Sequence, residues 1–229
     1  MASVIITGAN GGLGQEVTNR LAEDGYHVLA VTGQQGAGRI YGKQNITSFQ
    51  VDLMKEEKAE AFVGKAVETT SDLNAAVLLV GGFAMGKLSE TSRKDLEYMI
   101  DLNFYTAFNL VRPLMKHFAA NAEGGRFILV GARPGIDSSA GKDFFAYSLS
   151  KAMVIKMADL INAEGKDKNI SATVIIPSVI DTAANRKAMP DADFSRWVPP
   201  QAIAETIAFY LSREGRMIRE GVVRLYNRA

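Results

Sequence analysis

A doubly wound α/β sheet, with helices on both faces, is the fold this sequence predicts. Three observations point to it. Short apolar, β-rich runs alternate with stretches of helical periodicity along nearly the whole chain. These runs are continuous Val/Ile/Leu segments, as in strands buried on both faces, and do not alternate with polar residues. The chain has 229 residues, 47% hydrophobic and 22% charged, which suffices for one large buried core. Strands separated by helices pair in parallel through right-handed crossovers. Ligands of such sheets lie at the carboxyl ends of the strands.

The elements follow in order. Residues 3–7 (SVIIT) read as a buried strand and run straight into a glycine-rich turn. Leu13, Val17 and Leu21 then recur at helical spacing, which predicts a helix over 13–24. Residues 27–31 form a second strand, and 33–43 a loop carrying Gly33, Gly36, Gly38 and Gly42. A short strand at 46–51 precedes an amphipathic helix at 55–68, with Ala59, Phe62, Val63, Ala66 and Val67 on one face. A fourth strand at 75–80 ends in Gly81-Gly82. Residues 93–120 hold one long helical pattern in which Pro113 predicts a kink or break. Then come a strand at 126–130, a helix at 145–164 and a strand at 170–176 that stops at Pro177. Pro199-Pro200 opens a last helix to about residue 213, because proline is tolerated in a first turn, and 222–226 is the final strand. The count is seven strands. No linker, repeat or composition shift divides the chain, so 1–229 reads as one domain.

Composition removes several function classes. A net charge of +1 and a pI near 7.9 leave no footprint for nucleic acid. The absence of cysteine removes disulfides, thiolate nucleophiles and cysteine-based metal centres. With only His27 and His117, a multi-histidine metal site is excluded too. The longest uncharged run, 1–15, is interrupted by polar residues and glycines, and a spanning helix needs about 20 mainly apolar residues. The N-terminus has no basic stretch of a signal peptide. A cytoplasmic protein with no membrane association is the expectation.

The first turn carries the chemistry. Thr7-Gly8-Ala9-Asn10-Gly11-Gly12-Leu13-Gly14 follows a strand and opens a helix. Glycines there let backbone approach a pyrophosphate, and the helix N-terminus offers unpaired N–H groups and a positive dipole end. In that context the pattern indicates a dinucleotide site of Rossmann type.

The spacing of this turn resembles the short-chain dehydrogenase/reductase family, and later residues match it in order. Tyr147 and Lys151 open the helix after the fifth strand, where the family places its catalytic pair. At i and i+4 they share a helix face, so a neighbouring ammonium is expected to lower the phenol's pKa and make it a proton donor near neutral pH. Asn103 stands where the family's helix Asn supports a proton relay to that Lys. Asp52, followed by Leu53, matches the acid that contacts the adenine ring. Gly81 and Gly82 stand in the family's Asn-Ala-Gly stretch, with Val80 in place of the Asn. Pro177 and Thr182 match the segment in which the Thr contacts the nicotinamide carboxamide or the diphosphate. The resemblance thus assigns Gly8, Asn10, Gly11, Gly12, Leu13, Gly14, Thr32, Asp52, Leu53, Gly81, Gly82, Lys151, Pro177 and Thr182 to the cofactor, and Tyr147, Lys151 and Asn103 to catalysis.

Two departures narrow the reading. Where the family has its catalytic Ser, the fifth strand ends Val130-Gly131-Ala132-Arg133, with Ala132 in the Ser place. Ser138 or Ser139 could reach back to replace it. An oxyanion donor of this kind is typically worth ~2.7–4 kcal/mol, so an ordinary ketone reductase without one is handicapped. The second departure is the stretch from Asn185-Arg186-Lys187 through Met189-Pro190 and Ala192-Asp193-Phe194-Ser195 to Trp197, within a substrate loop of about 178–198. It resembles the corresponding loop of dihydropteridine reductases. That subgroup also has Ala for Ser, and Gly-Gly followed by an aromatic, here Phe83. The resemblance implies reduction of quinonoid dihydropteridine, in which charge spreads over a conjugated ring. Phe83, Ala132, Tyr147 and Trp197 are the candidate substrate contacts. Trp197 reads equally as a packing anchor, and Arg186 and Lys187 as solvated loop residues.

An NAD site usually carries an acid at the end of the second strand. Here that place is Thr32, followed by Gly33 and Gln34, and Arg39 or Lys43 could reach a 2′-phosphate. The balance tips to NADP(H) over NAD(H). The alternatives are a short-chain reductase for another carbonyl or a quinone, and a non-catalytic NAD(P)-binding redox sensor. The partner expected is a small flat molecule. The resemblance also implies a homodimer, with a tetramer possible, formed through the long helices. Leu102, Tyr105, Phe108, Asn109 and Arg112 fit such a face, or plain core packing.

Overall fold

The computed structural model describes residues 2–33, 44–70 and 72–228. Seven parallel strands form one sheet in the order β3-β2-β1-β4-β5-β6-β7. They are β1 (Ser3–Thr7), β2 (His27–Thr32), β3 (Ile46–Gln50), β4 (Leu73–Leu78), β5 (Gly125–Val130), β6 (Ile170–Pro177) and β7 (Val222–Leu225). The chain winds one way from β1 to β3 and the other way from β4 to β7, which opens a crevice at the carboxyl ends of β1 and β4.

Strand parity divides the core. On one face, Val4, Ile6, Val28, Ala30, Ile128 and Ile175 pack against α1 (Gly12–Glu23) and the late helix Pro200–Leu211. On the other face, Ile5, Leu29, Phe127, Leu129 and Val174 pack against α2 (Glu56–Thr69), the helix Thr106–Ala120 and the helix Phe145–Gly165. In chain order the remaining helices are α3 (Arg93–Ile100), α4 (Thr106–Ala120), α5 (Ser138–Gly141), α6 (Phe145–Gly165), α7 (Ala183–Ala188) and α8 (Pro200–Leu211).

Three differences from the sequence expectation have local causes. β4 ends at Leu78 because the N–H groups of Leu79 and Val80 leave the ladder and donate to the Thr7 hydroxyl at 3.0 and 3.4 Å. That bond ties together the ends of the two strands that flank the crevice. The long helix over 93–120 is interrupted at Asp101–Tyr105, a π-helical turn, and α4 then runs unbroken through Pro113. π turns are often found at functional sites, and this one carries the buried Asn103. Of the candidate face residues, Asn109 is in the core and Arg112 is exposed but tied to α2. Asn109 is buried and donates to the Leu53 carbonyl at 3.0 Å, while Arg112 pairs with Glu56 and Glu60 of α2. No helix among the described residues is long and apolar enough to cross a membrane.

Candidate functional site

The glycine turn is built as its residue types require. Gly8 sits at φ +64°, a left-handed conformation natural to glycine, and its carbonyl accepts from Gly11 N–H at 2.9 Å. Gly11 is the N-cap of α1 and, having no side chain, leaves the first helical N–H groups without a side-chain acceptor. Gly11 and Gly12 are exposed. Asn10 holds the turn through its carbonyl, which accepts from Gln15 Nε2 at 2.9 Å. Leu13 packs into the α1–α8 side of the core. A Cβ on Gly14 would fall inside van der Waals contact of the Gly8 carbonyl and 2.8 Å from the Ala9 Cα. Both neighbours are backbone and cannot step aside. Gly14→Ala is therefore expected to lower Tm markedly, by about 3 kcal/mol of overpacking, and to weaken nicotinamide-cofactor binding. Thermal melts and cofactor titration check it.

Thr182 meets this turn from the other side of the crevice. A Cβ on Gly12 would lie 2.8 Å from Thr182 Cγ2. Thr182 is in turn the N-cap of α7, its hydroxyl accepting from Asn185 N–H at 3.2 Å. Pro177 is buried at the end of β6 and launches the loop that brings Thr182 there. Thr32 is buried at the end of β2, its hydroxyl donating to the Phe49 carbonyl at 3.4 Å. Asp52 is half-buried after β3 and accepts from Met54 N–H at 3.2 Å. Leu53 contributes a buried side chain to the core. Arg39 and Lys43, the proposed partners of a 2′-phosphate, lie outside the described residues, as does Gln34.

The second cluster is assembled around Gly81. A Cβ on Gly81 would lie 2.7 Å from Asn103 Oδ1 and 3.1 Å from Lys151 Nζ, so these two side chains flank one backbone position. Asn103 exchanges bonds with Gly82, accepting from its N–H at 2.9 Å and donating to its carbonyl at 3.1 Å. It also donates to Ser150 Oγ at 3.0 Å. Lys151 is buried and donates to the Val130 carbonyl at 3.0 Å. Burial pushes its ammonium down to about 8.

Tyr147 sits a turn before Lys151 on α6. Burial pushes its phenol up to about 12. The expected lowering by the neighbouring ammonium is thus corrected: desolvation governs the shift, and Lys151 spends a donor on Val130. The phenol stays protonated across the neutral range.

One aromatic touches Tyr147 and a second stands behind it. The Phe83 ring lies 5.1 Å from the Tyr147 ring, edge-on, and 5.0 Å from the Phe144 ring. Phe83 is 59% exposed. Sequence reasoning missed Phe144. It is placed by a backbone bridge in which Gly86 N–H donates to the Asp143 carbonyl and Phe145 N–H to the Gly86 carbonyl, both at 2.9 Å. No local signal announces such a bridge. Ser150 was missed as well, although its i+3 spacing from Tyr147 places it on the helix face that meets Asn103.

Ala132 is buried at the end of β5 and brings no hydroxyl. Ser138 and Ser139 do not replace it. Both are exposed on α5, and Ser139 Oγ donates to Asp137 Oδ1 at 2.6 Å.

The substrate-loop signature is largely spent on the loop itself. Trp197 is only 6% exposed and packs at a tilt against Phe194, with ring centroids 4.7 Å apart, so it is a packing anchor with no free face for a ligand. Arg186 is exposed, as a loop side chain would be, and is held at the surface by a bidentate pair with Asp181 at 2.6 and 2.8 Å and by the Phe194 ring, over which it lies at 4.7 Å. Lys187 is exposed. The arrangement therefore joins an uncapped helix N-terminus, a buried Lys, a protonated Tyr and an exposed aromatic wall along one crevice.

Known proteins share this architecture. The family model described as short chain dehydrogenase matches residues 2–193. A dihydropteridine reductase of Dictyostelium discoideum is 26% identical over 210 residues, covering 90% of this chain and 85% of that protein. The 3-oxoacyl-[acyl-carrier-protein] reductase MabA of Mycobacterium tuberculosis is 28% identical over 232 residues, covering 96% and 90%. Among solved structures, ElxO with NADP bound superposes with a TM-score of 0.86 at 22% identity, covering 98% of this chain and 96% of that one. A short-chain type dehydrogenase/reductase from Mycobacterium ulcerans gives 0.90 at 19% identity, covering 99% and 89%. The chain belongs to the short-chain dehydrogenase family of NAD(P)-dependent oxidoreductases.

Proposed function

We propose that the protein reduces quinonoid dihydropteridine to the tetrahydro form, with NADPH as reductant and Tyr147 as proton donor. The observation that carries this reading is the pairing of a hydroxyl-free Ala132 with the Phe83–Phe144–Tyr147 aromatic wall. A ketone gathers charge on one oxygen and needs a fixed donor there. A conjugated pterin spreads that charge and asks instead for a flat apolar surface. The likeness to the Dictyostelium dihydropteridine reductase points the same way.

The residues fit a dinucleotide. The exposed Gly11–Gly12 N-terminus of α1, uncapped by any side chain, suits a diphosphate, and Thr182 stands against it. When bound, the nicotinamide supplies a hydride. Lys151 would hold the nicotinamide ribose through its ammonium, and Tyr147 gives its proton to the pterin ring. Asn103 fixes Gly81-Gly82 and Ser150 so that Lys151 keeps its place. Thr32 in the place of an acid leaves room for a 2′-phosphate and supports NADP(H) over NAD(H). Exposed Tyr98, Tyr105 and Leu149 support pairing of two copies through α3, the π turn and α6.

A carbonyl or quinone substrate is the second reading, favoured by the likeness to MabA over 96% of the chain. Steady-state oxidation of NADPH and NADH, with quinonoid dihydropteridine and with a ketone and quinone panel, separates the two. We expect the pterin to be turned over and NADPH to have the lower KM. Reduction of ketones alone would refute the pterin assignment.

A further inference from the structure

The segment after β7, residues 226–228, is bonded to both loops that border the crevice on the β5–β6 side. Toward the loop after β6, Tyr226 and Leu225 carbonyls accept from Ser178 Oγ and Ser178 N–H, each at 2.9 Å. Asn227 Nδ2 donates to the carbonyls of Ser195 and Trp197 at 3.2 and 2.8 Å. The Arg228 carbonyl accepts from Arg196 Nε and Nη2 at 3.0 and 2.8 Å. Toward the loop after β5, the Arg133 guanidinium lies 5.4 Å over the Tyr226 ring, immediately beyond Ala132. Asn227 holds φ +52°, a left-handed conformation that Asn tolerates better than most residues and that turns its amide back toward the loop. Its bonds fall at the base of the buried Trp197, where the loop rejoins the core.

We propose that Asn227 is a positioning residue for substrate. Through Ser195 and Trp197 it fixes the loop over residues 178–198, and with Tyr226 on Arg133 it sets the distance between that loop and Ala132. The segment touches neither the glycine turn nor Tyr147, so it governs the substrate side of the crevice and not the chemistry. This role rests on the reading of 178–198 as the substrate loop.

Asn227→Gly tests it, because glycine keeps the left-handed backbone while deleting both side-chain bonds. Two net hydrogen bonds correspond to about a tenfold effect. We expect KM to rise about tenfold for whichever substrate the wild type reduces, with kcat and KM for NADPH within about threefold, because Thr182 at the other end of the loop keeps its own bonds to Ile180 and Asn185. Hydrogen exchange of the amides over 183–197 should quicken, while those of β6 stay protected. Wild-type exchange over 183–197 in the variant would overturn the strap. Faster exchange with an unchanged substrate KM, or a fall in kcat at constant KM, would overturn its role in positioning. Failure of the pterin assignment is distinguishable: the wild type then reduces only carbonyls or quinones, and the exchange result stands unaltered.

Discussion

Tyr147→Phe is expected to lower kcat about a thousandfold, with KM changed by no more than a few-fold. A positioned general acid contributes roughly two to four powers of ten, and the Tyr147 hydroxyl is the proposed proton donor, edge-on to Phe83. The substitution is mild for the fold. Phe keeps the edge-on contact with Phe83. The hydroxyl is not among the buried unpaired atoms and takes no part in the described bonding network, so no partner is orphaned. Melting temperature should therefore match the wild type. Turnover that survives the change would remove Tyr147 from the chemistry.

Lys151→Met is expected to abolish turnover and to stabilise the protein by about 2 kcal/mol. The cause is the desolvation that lowers the ammonium from its ordinary 10.5 to about 8. Between those two values the unfolded chain binds a proton that the folded one does not. Stability from this group therefore rises as pH climbs from about 8 toward 10.5, and at neutral pH the full cost of about 3 kcal/mol is present. Met keeps the apolar stem and removes the charge. Loss of the bond to the Val130 carbonyl returns about 1 kcal/mol of that gain. Denaturant melts between pH 7 and about pH 10 check the sign: wild-type stability should climb toward the variant's. Above pH 10 the raised phenols of Tyr147 and Tyr26 begin to cost stability, so the useful window closes there. A variant less stable than the wild type at pH 7 would contradict desolvation as the origin of the shift. The expected result is a residue kept for function at the expense of stability.

The sheet was legible because its strands are buried on both faces. β1 over Ser3–Thr7 appears where its apolar run predicts it, since every residue in it is core. The glycine turn was legible for the opposite reason: Gly14 has backbone on every near side, and few residue types could stand there. What escaped was set by tertiary contact. The π turn at Asp101–Tyr105 carries Asn103, which is fixed by Gly82 and Ser150, 21 and 47 residues away. The apolar periodicity of 93–120 is the same with or without that turn. Phe144 reaches Phe83 only because Gly86 pairs with the start of α6. The Tyr147 shift ran opposite to the expectation because helix spacing reveals which groups are near, and not how far both are taken from water. Trp197 was left between two roles, and burial decides for packing.

A single-turnover experiment on the wild type bears most directly on the proposed reaction. Protein loaded with NADPH is mixed with quinonoid dihydropteridine, and loss of NADPH is followed against appearance of the tetrahydro product. Stoichiometric conversion, far faster than with a saturated ketone at the same concentration, is the result expected from a hydroxyl-free Ala132 and the Phe83–Phe144 wall. Unchanged NADPH with the pterin, alongside rapid oxidation by the ketone, would contradict it.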